Sequence, residues 1–330
     1  MATLRTIRLR IKGTKNIKQI TRAMEAVSAV KMRKSQQVAL AARPYATAAL
    51  QILRSISGAE RLNLGDSLRF NLLETREVKN ILLVVVTSDK GLAGPFNANV
   101  LKKAEQFIRE HNPENTPLNP PSKEVGRGQF TIAAVGKKAG EYFSRRGRTP
   151  ADSWTGCGDV AELNEVEHVF NFVKESFEQK KVDEVFIVYT NFLSAMKQEV
   201  VVRKLLPFSE EGLEEMVKGI VPEKGRFSEE GKAQPYGGKV EPYPTEYIFE
   251  PSPKEIFDSI LPALLKIEIY HAILEANASE HSSRMVAMRN ATDNAGELIR
   301  AYTVTLNKAR QAAINKELAE ISGGAEALTQ

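Results

Sequence analysis

Along the last quarter of the chain, apolar and small residues recur in steps of three and four. Met285, Met288, Thr292, Ala295, Ile299, Tyr302, Leu306, Ala309 and Ala313 keep one seven-residue repeat. That spacing places a single narrow seam on a helix. The segment opens at Ser252-Pro253-Lys254-Glu255, a Ser N-cap with Pro at the first helical position and Glu reaching back to the cap. It closes at Gly323-Gly324, where a left-handed cap is predicted to end it. Seventy helical residues run roughly 105 Å at 1.5 Å per residue, far beyond a globular helix. Pro262 is predicted to kink it near its start. So long a helix needs a partner along its seam.

The first sixty residues supply one. Ile17, Ile20, Met24 and Val27 keep the three-four spacing, and Val38, Ala41, Tyr45, Ala48 and Ile52 resume it. Lys31 and Lys34 fall on the seam between the two runs, Pro44 is predicted to bend the helix and Gly58 to stop it. An antiparallel pair follows, with partners near i + j ≈ 310. Met24 is then expected beside Met285 or Met288, and Ile17 and Ile20 near 290–293. About a dozen C-terminal residues, with Ile314, Leu318 and Ile321, are left without a partner in this chain. That tip is expected to project and to be sheathed by something else.

Between the helices the period changes. Residues 59–79 read as a connector. Ile81–Val86 is a continuous apolar run, hence a buried strand, followed by a Gly-containing loop at 87–94 and a helix over 97–109. Strands are also predicted at 130–135, 185–189 and 200–206, and helices over 137–146 and along Val160, Leu163, Val166, Val169, Phe170, Val173 and Phe177. This alternation predicts an α/β domain with a largely parallel sheet over 78–208. The stretch 112–128 holds four prolines, and 209–246 holds six Gly and four Pro in 38 positions, so both read as excursions.

The chain has 330 residues, enough for two domains. Its overall net charge is +5, but residues 1–43 carry eleven Lys and Arg against a single acid, Glu25, a net of +10. That segment calls for an anionic partner. No apolar run reaches eighteen residues and no apolar signal segment opens the chain, so an intracellular protein is expected. The lone Cys157 excludes an intramolecular disulfide and a four-cysteine metal site.

Catalytic chemistry is hard to find. The loop Gly91-Leu92-Ala93-Gly94 lacks the Lys-Ser/Thr of a P-loop and the third glycine of a dinucleotide fingerprint, so it reads as a tight turn. His111, His168, His271 and His281 show no metal-ligand spacing, and neighbours on one helix such as Glu280, His281 and Ser282 do not converge into a triad. The segment Asn290-Ala291-Thr292-Asp293-Asn294-Ala295-Gly296 does resist a purely structural reading. Its Thr, Asp, two Asn and Gly cost a helix about 3 kcal/mol relative to alanine. Either its small residues allow close helix approach or its polar ones meet a partner.

These residues carry a family resemblance. Arg284 to Ala295 resembles the hallmark segment of the gamma subunits of F-type rotary ATP synthases, of bacterial type, as does Asn307-Lys308-Ala309-Arg310-Gln311-Ala312-Ala313-Ile314. The C-terminal signature is matched at Ile314, Glu317, Glu320, Gly324, Ala325 and Ala327. Thr14 to Met24, Lys31 to Gln36 and Thr87 to Leu92 are similar to further family segments. Asn315 stands where the signature has Thr, Ala93 and Pro95 replace Cys and Gly, and the dithiol pair of the chloroplast form is missing.

The resemblance implies an antiparallel coiled-coil shaft over 1–58 and 252–330. A Rossmann-like α/β domain over 78–208 is inserted between its helices, with a Gly/Pro-rich excursion over 209–251. It implies a rotor that couples proton flow to ATP synthesis without a catalytic site, cofactor or metal of its own, at the cytoplasmic face of the plasma membrane. Its partners are then the alpha and beta subunits, the epsilon subunit and the membrane rotor ring of c subunits. By position, Arg10, Met24, Arg33, Lys34, Arg284, Arg310, Gln311, Glu317 and Glu320 are implied to carry the contacts to alpha and beta. Two rival readings remain. One is a basic-helix nucleic-acid binder, which lacks interleaved aromatics and a groove-reading motif. The other is an enzyme built on the α/β domain, which lacks a nucleophile, base or metal set.

Overall fold

The computed structural model describes residues 4–60, 72–111, 129–208, 250 and 253–329. Helix α1 spans Leu4–Glu60 and helix α5 Pro253–Thr329. Each is continuous, through Gly58 in the first and through Pro262 in the second. The predicted stop at Gly323-Gly324 is not one: α5 continues through both glycines, and Ala325-Glu326-Ala327-Leu328 beyond them are strong helix formers. Glycine permits a left-handed cap but does not impose it. The cap at Ser252 and the excursions at 112–128 and 209–246 lie outside the described residues.

Between the long helices run β1 (Asn80–Val86), α2 (Phe96–His111), β2 (Gln129–Val135), α3 (Lys137–Arg145), β3 (Asp152–Trp154), α4 (Leu163–Glu178), β4 (Glu184–Phe192) and β5 (Gln198–Leu206). They form one five-stranded sheet of order β3-β2-β1-β4-β5. The β1–β2, β1–β4 and β2–β3 pairings are parallel, and β5 returns antiparallel on β4. The largely parallel sheet is therefore present, with one strand, β3, that the sequence pattern did not reveal.

The continuous apolar run of β1 is explained by burial on both faces. Leu82, Val84 and Val86 join a core with Val169, Val173 and Phe177 of α4 and with Leu261, Leu265 and Ile269 of α5. Leu83 and Val85 face the other way, against Val100 and Phe107 of α2 and Phe143 of α3.

The chain divides into two compact units, Met1–Val30 with Arg284–Gln330, and Lys31–Ser283. The division falls within α1 and α5 rather than at their junctions with the sheet, so part of each long helix belongs with the α/β elements.

Candidate partner interface

In the first unit, α1 and α5 pair antiparallel. The Oγ1 atoms of Thr21 and Thr292, both buried, lie 2.7 Å apart, and Gly296 faces the Lys18 side chain. These contacts give i + j of 313 and 314, about one helical turn from the expected register. On α5, Met288, Thr292 and Ala295 are buried, and Met285, Ile299, Tyr302 and Leu306 are half-buried.

On α1 the seam is not the predicted one. Ile17, Ile20 and Val27 are 55%, 59% and 54% exposed, and Met24 is half-buried. The inward face carries Ile7, Ile11, Thr14, Lys18, Thr21, Glu25 and Ser28, also in steps of three and four. The physical reason is close approach. Here the small Thr21 meets Thr292, and their hydroxyls bond each other or their own helix carbonyls instead of needing water. Ile17, Ile20 and Val27 are left outside, while Ile7 is buried on the inward face.

The outcome is a coil whose exterior is both apolar and cationic. Leu9, Ile17, Ile20, Val27 and Val30 of α1 are exposed, interspersed with exposed Arg5, Arg8, Arg10, Lys12, Lys15 and Arg22. On α5, Leu298, Val304, Ile314, Leu318 and Ile321 are exposed as well, and every residue from Ile314 to Ser322 is exposed. So many large apolar side chains along two helices mark a surface that a protein partner covers. Alternating cations with aliphatic rather than aromatic residues suits an acidic protein surface better than nucleic-acid bases.

The residues implied by the resemblance fall mostly on this exterior. Arg10, Arg310, Gln311, Glu317 and Glu320 are exposed, Glu320 with Lys316 at 3.5 Å. Arg33 and Lys34 are exposed in the second unit. Arg284 differs from these: it is buried, at 7% exposure.

The loops at the ends of the parallel strands are tied to one another rather than open to a ligand. The Asp89 carboxylate accepts the Lys137 N–H at 2.9 Å and the Gly156 N–H at 2.9 Å. The first of these amides opens α3, where a phosphate would otherwise bind, and an anion already occupies it. Ser88 N–H donates to Asn97 Oδ1, and Leu92 and Gly94 turn the chain with φ of 64° and 56°. Cys157 is buried. Its thiol is pushed up to about 11, by burial first and then by the Glu165 and Asp89 carboxylates, so it is no nucleophile. Among the described residues no three His, Cys, Asp or Glu side chains gather as metal ligands, and no helix is long and apolar enough to cross a membrane.

Sequence reasoning missed two polar features. One is the hydroxyl seam of α1, whose signal was Thr14, Thr21 and Ser28 at seven-residue spacing. The other is a buried polar run on α5 from Glu275 to Ser282.

The chain matches the sequence profile of a family described as ATP synthase over residues 3–328. It is 38% identical over 332 residues to the ATP synthase gamma chain of Trichormus variabilis, covering all of both chains. The ATP synthase gamma chain of Pelotomaculum thermopropionicum is 39% identical over 328 residues, covering 99% of this chain and all of that one. Among solved structures, a chain of the Euglena gracilis mitochondrial ATP synthase (OSCP/F1/c-ring) superposes with a TM-score of 0.61 at 19% identity, covering 98% of this chain and 94% of that one. A chain of the Tetrahymena thermophila mitochondrial ATP synthase central stalk and c-ring gives 0.54 at 22% identity, over 82% and 99%.

Proposed function

Because the chain belongs to the ATP synthase family, among relatives that are its gamma chains, we propose that it is the central-stalk rotor subunit of an F-type enzyme. The observation that carries this reading is the exterior of the coil. Two paired helices bury a hydroxyl seam and display aliphatic residues and cations outward, which suits a shaft enclosed by other subunits. Alpha and beta subunits form that enclosure. Acidic loops of the beta subunits face Arg10, Arg33 and Lys34, and Met24 lies in the same contact. Arg310, Gln311, Glu317 and Glu320 make the contacts of the exposed C-terminal end. Helices α1 and α5 act as the shaft and the sheet domain as the foot, beside the epsilon subunit and on the rotor ring, at the cytoplasmic face of the membrane. Proton flow turns the ring, and the rotating shaft imposes successive states on the beta-subunit sites. The chain makes no bond itself.

Reconstitution tests this directly. With alpha, beta and epsilon subunits the chain is expected to co-purify as one complex that hydrolyses ATP and rotates a probe fixed to the 78–208 domain. A chain that fails to enter such a complex, or enters it without rotation, refutes the reading.

A further inference from the structure

Residues 275–282 of α5, Glu-Ala-Asn-Ala-Ser-Glu-His-Ser, are all buried, an unusual density of polar side chains for a helix interior. Asn277 Nδ2 donates to the carbonyl of Cys157 at 2.8 Å, and His281 Nε2 donates to the carbonyl of Asp159 at 2.8 Å. Both acceptors lie on the loop that follows β3. Ser279 Oγ donates to the Thr190 carbonyl at 3.1 Å, and Ser282 Oγ to the Ala195 carbonyl at 2.6 Å. Ser283 Oγ donates to Gln198 Oε1 at 2.6 Å. These three acceptors lie on β4, on β5 and on the turn between them.

The spacing is informative. Asn277 and His281 are four apart and share one stripe of the helix, and Ser279, Ser282 and Ser283 share another. Residues two apart on an α-helix point about 200° away from each other. The helix is therefore bonded from two nearly opposite sides. The β3-side loop is itself anchored: Asp159 Oδ1 takes Lys31 Nζ of α1 at 2.6 Å, and Gly156 N–H bonds Asp89.

We propose that this polar collar is the torque joint of the rotor, where twist carried along α5 passes into the sheet domain. The proposal rests on the rotor reading above. The hydrophobic effect is non-directional, so apolar packing fixes the rotation of a helix about its own axis less sharply than directional bonds do. Hydrogen bonds lose strength steeply as the donor angle opens, so bonds from opposite sides resist rotation in either sense. A spacer helix on a sheet needs only an apolar face, and α5 already has one in Leu261, Leu264, Leu265 and Ile269.

The test uses the assembled complex, with the alpha and beta subunits fixed and a probe on α2. Angular fluctuations of the stalled rotor give torsional stiffness, and proton pumping per ATP gives coupling. Asn277→Leu with His281→Leu removes one side of the collar, and Ser279→Ala with Ser282→Ala removes most of the other. Either pair is expected to soften the rotor roughly twofold, since one of two opposed sets of directional bonds is gone. Protons pumped per ATP are expected to fall while ATP hydrolysis persists. With Asn277 intact, His281→Gln keeps a side-chain N–H donor and is expected to retain more stiffness than His281→Leu. Ala276→Gly loosens the same helix without removing a side-chain bond and is expected to leave stiffness unchanged. Wild-type stiffness in both double variants, or equal softening by Ala276→Gly, overturns the proposal. If the leucine pair does not assemble, the alanine pair decides. A wild-type complex that does not rotate overturns the rotor reading instead.

Discussion

The seam of the coil can be tested at its hydroxyl pair. Thr21 Oγ1 and Thr292 Oγ1 are 2.7 Å apart, and Thr292 Oγ1 lies 2.8 Å from the Met288 carbonyl. Thr21 Oγ1 likewise lies 3.2 Å from the Lys18 carbonyl, so either hydroxyl of the pair can be the donor while the other bonds its own helix carbonyl. Valine matches threonine in shape, so Thr21→Val and Thr292→Val each remove one hydroxyl without opening a cavity. Each leaves the opposing hydroxyl buried and short of one bond, at a cost of about 1 kcal/mol, low in the usual range because each retains a helix carbonyl. The double variant removes both hydroxyls and strands neither, so it should cost no more than either single change. The expected coupling is about 1 kcal/mol. Equilibrium urea unfolding of the full chain, followed by helical circular dichroism, measures all four corners of the cycle. Simple additivity, with the double variant costing about 2 kcal/mol, would show that the side chains do not meet. A one-heptad slip would give that result, because Thr21 would then face Met285 or Ile299.

Other outcomes follow from single sites. Glu268 is buried on α5, and burial pushes its carboxyl up to about 8 against the smaller opposing pull of Arg203. Its folded value lies above its unfolded one, so its penalty is absent below about pH 4.5, grows as pH rises and is complete above about pH 8. Glu268→Gln should therefore raise the melting temperature more at pH 8.5 than at pH 5, and an equal gain at both would contradict the assignment. Gly136 has φ 94°, and a Cβ there would collide with the Thr87 carbonyl oxygen. Gly136→Ala should cost on the order of 3 kcal/mol or more in urea unfolding, and a near-neutral result would refute the close approach. Met24→Lys adds a cation to the basic, half-buried side of α1 and should lower protons pumped per ATP in the assembled complex without lowering the melting temperature; unchanged pumping would count against the contact.

The α5 seam was legible because its repeat is narrow and keeps one phase over nine positions. The α1 seam was not, and the reason is chemical. Apolarity ordinarily marks burial, but here the inward row carries half-buried Thr14 and buried Thr21 and Ser28, with Ile17, Ile20 and Val27 turned outward. Where Thr21 meets Thr292 the helices touch through small residues, although Ile7 is buried on the same face of α1. The strands of the sheet were legible where both faces are buried, as in β1. β3 was not, since Asp152, Ser153 and Trp154 form a short edge strand with no apolar run. Glu268, His271, Glu275 and Glu280 gave no signal of burial, because a charged residue on a helix ordinarily marks its solvated face.

The inward row of α1 and the buried polar run of α5 have one feature in common, and it bears on how the molecule works. An ordinary coiled coil hides its aliphatic residues and exposes its polar ones, which makes it stable alone and indifferent to its surroundings. This coil reverses part of that arrangement. Its interior includes the Thr21–Thr292 hydroxyl pair, which contributes little net free energy but favours one register, because a slip would cost each hydroxyl a bond. Its exterior keeps the aliphatic area available for something else to bury. The buried part of α5 shows the same preference for direction, with side-chain donors aimed at loop carbonyls along a helix that already packs on the sheet through leucines. Apolar contact sets how strongly two surfaces adhere, and hydrogen bonds set the angle at which they do so. A shaft that must hold its own geometry while sliding against an enclosure needs the angular constraint inside and the apolar area outside, which is the distribution found along α1 and α5.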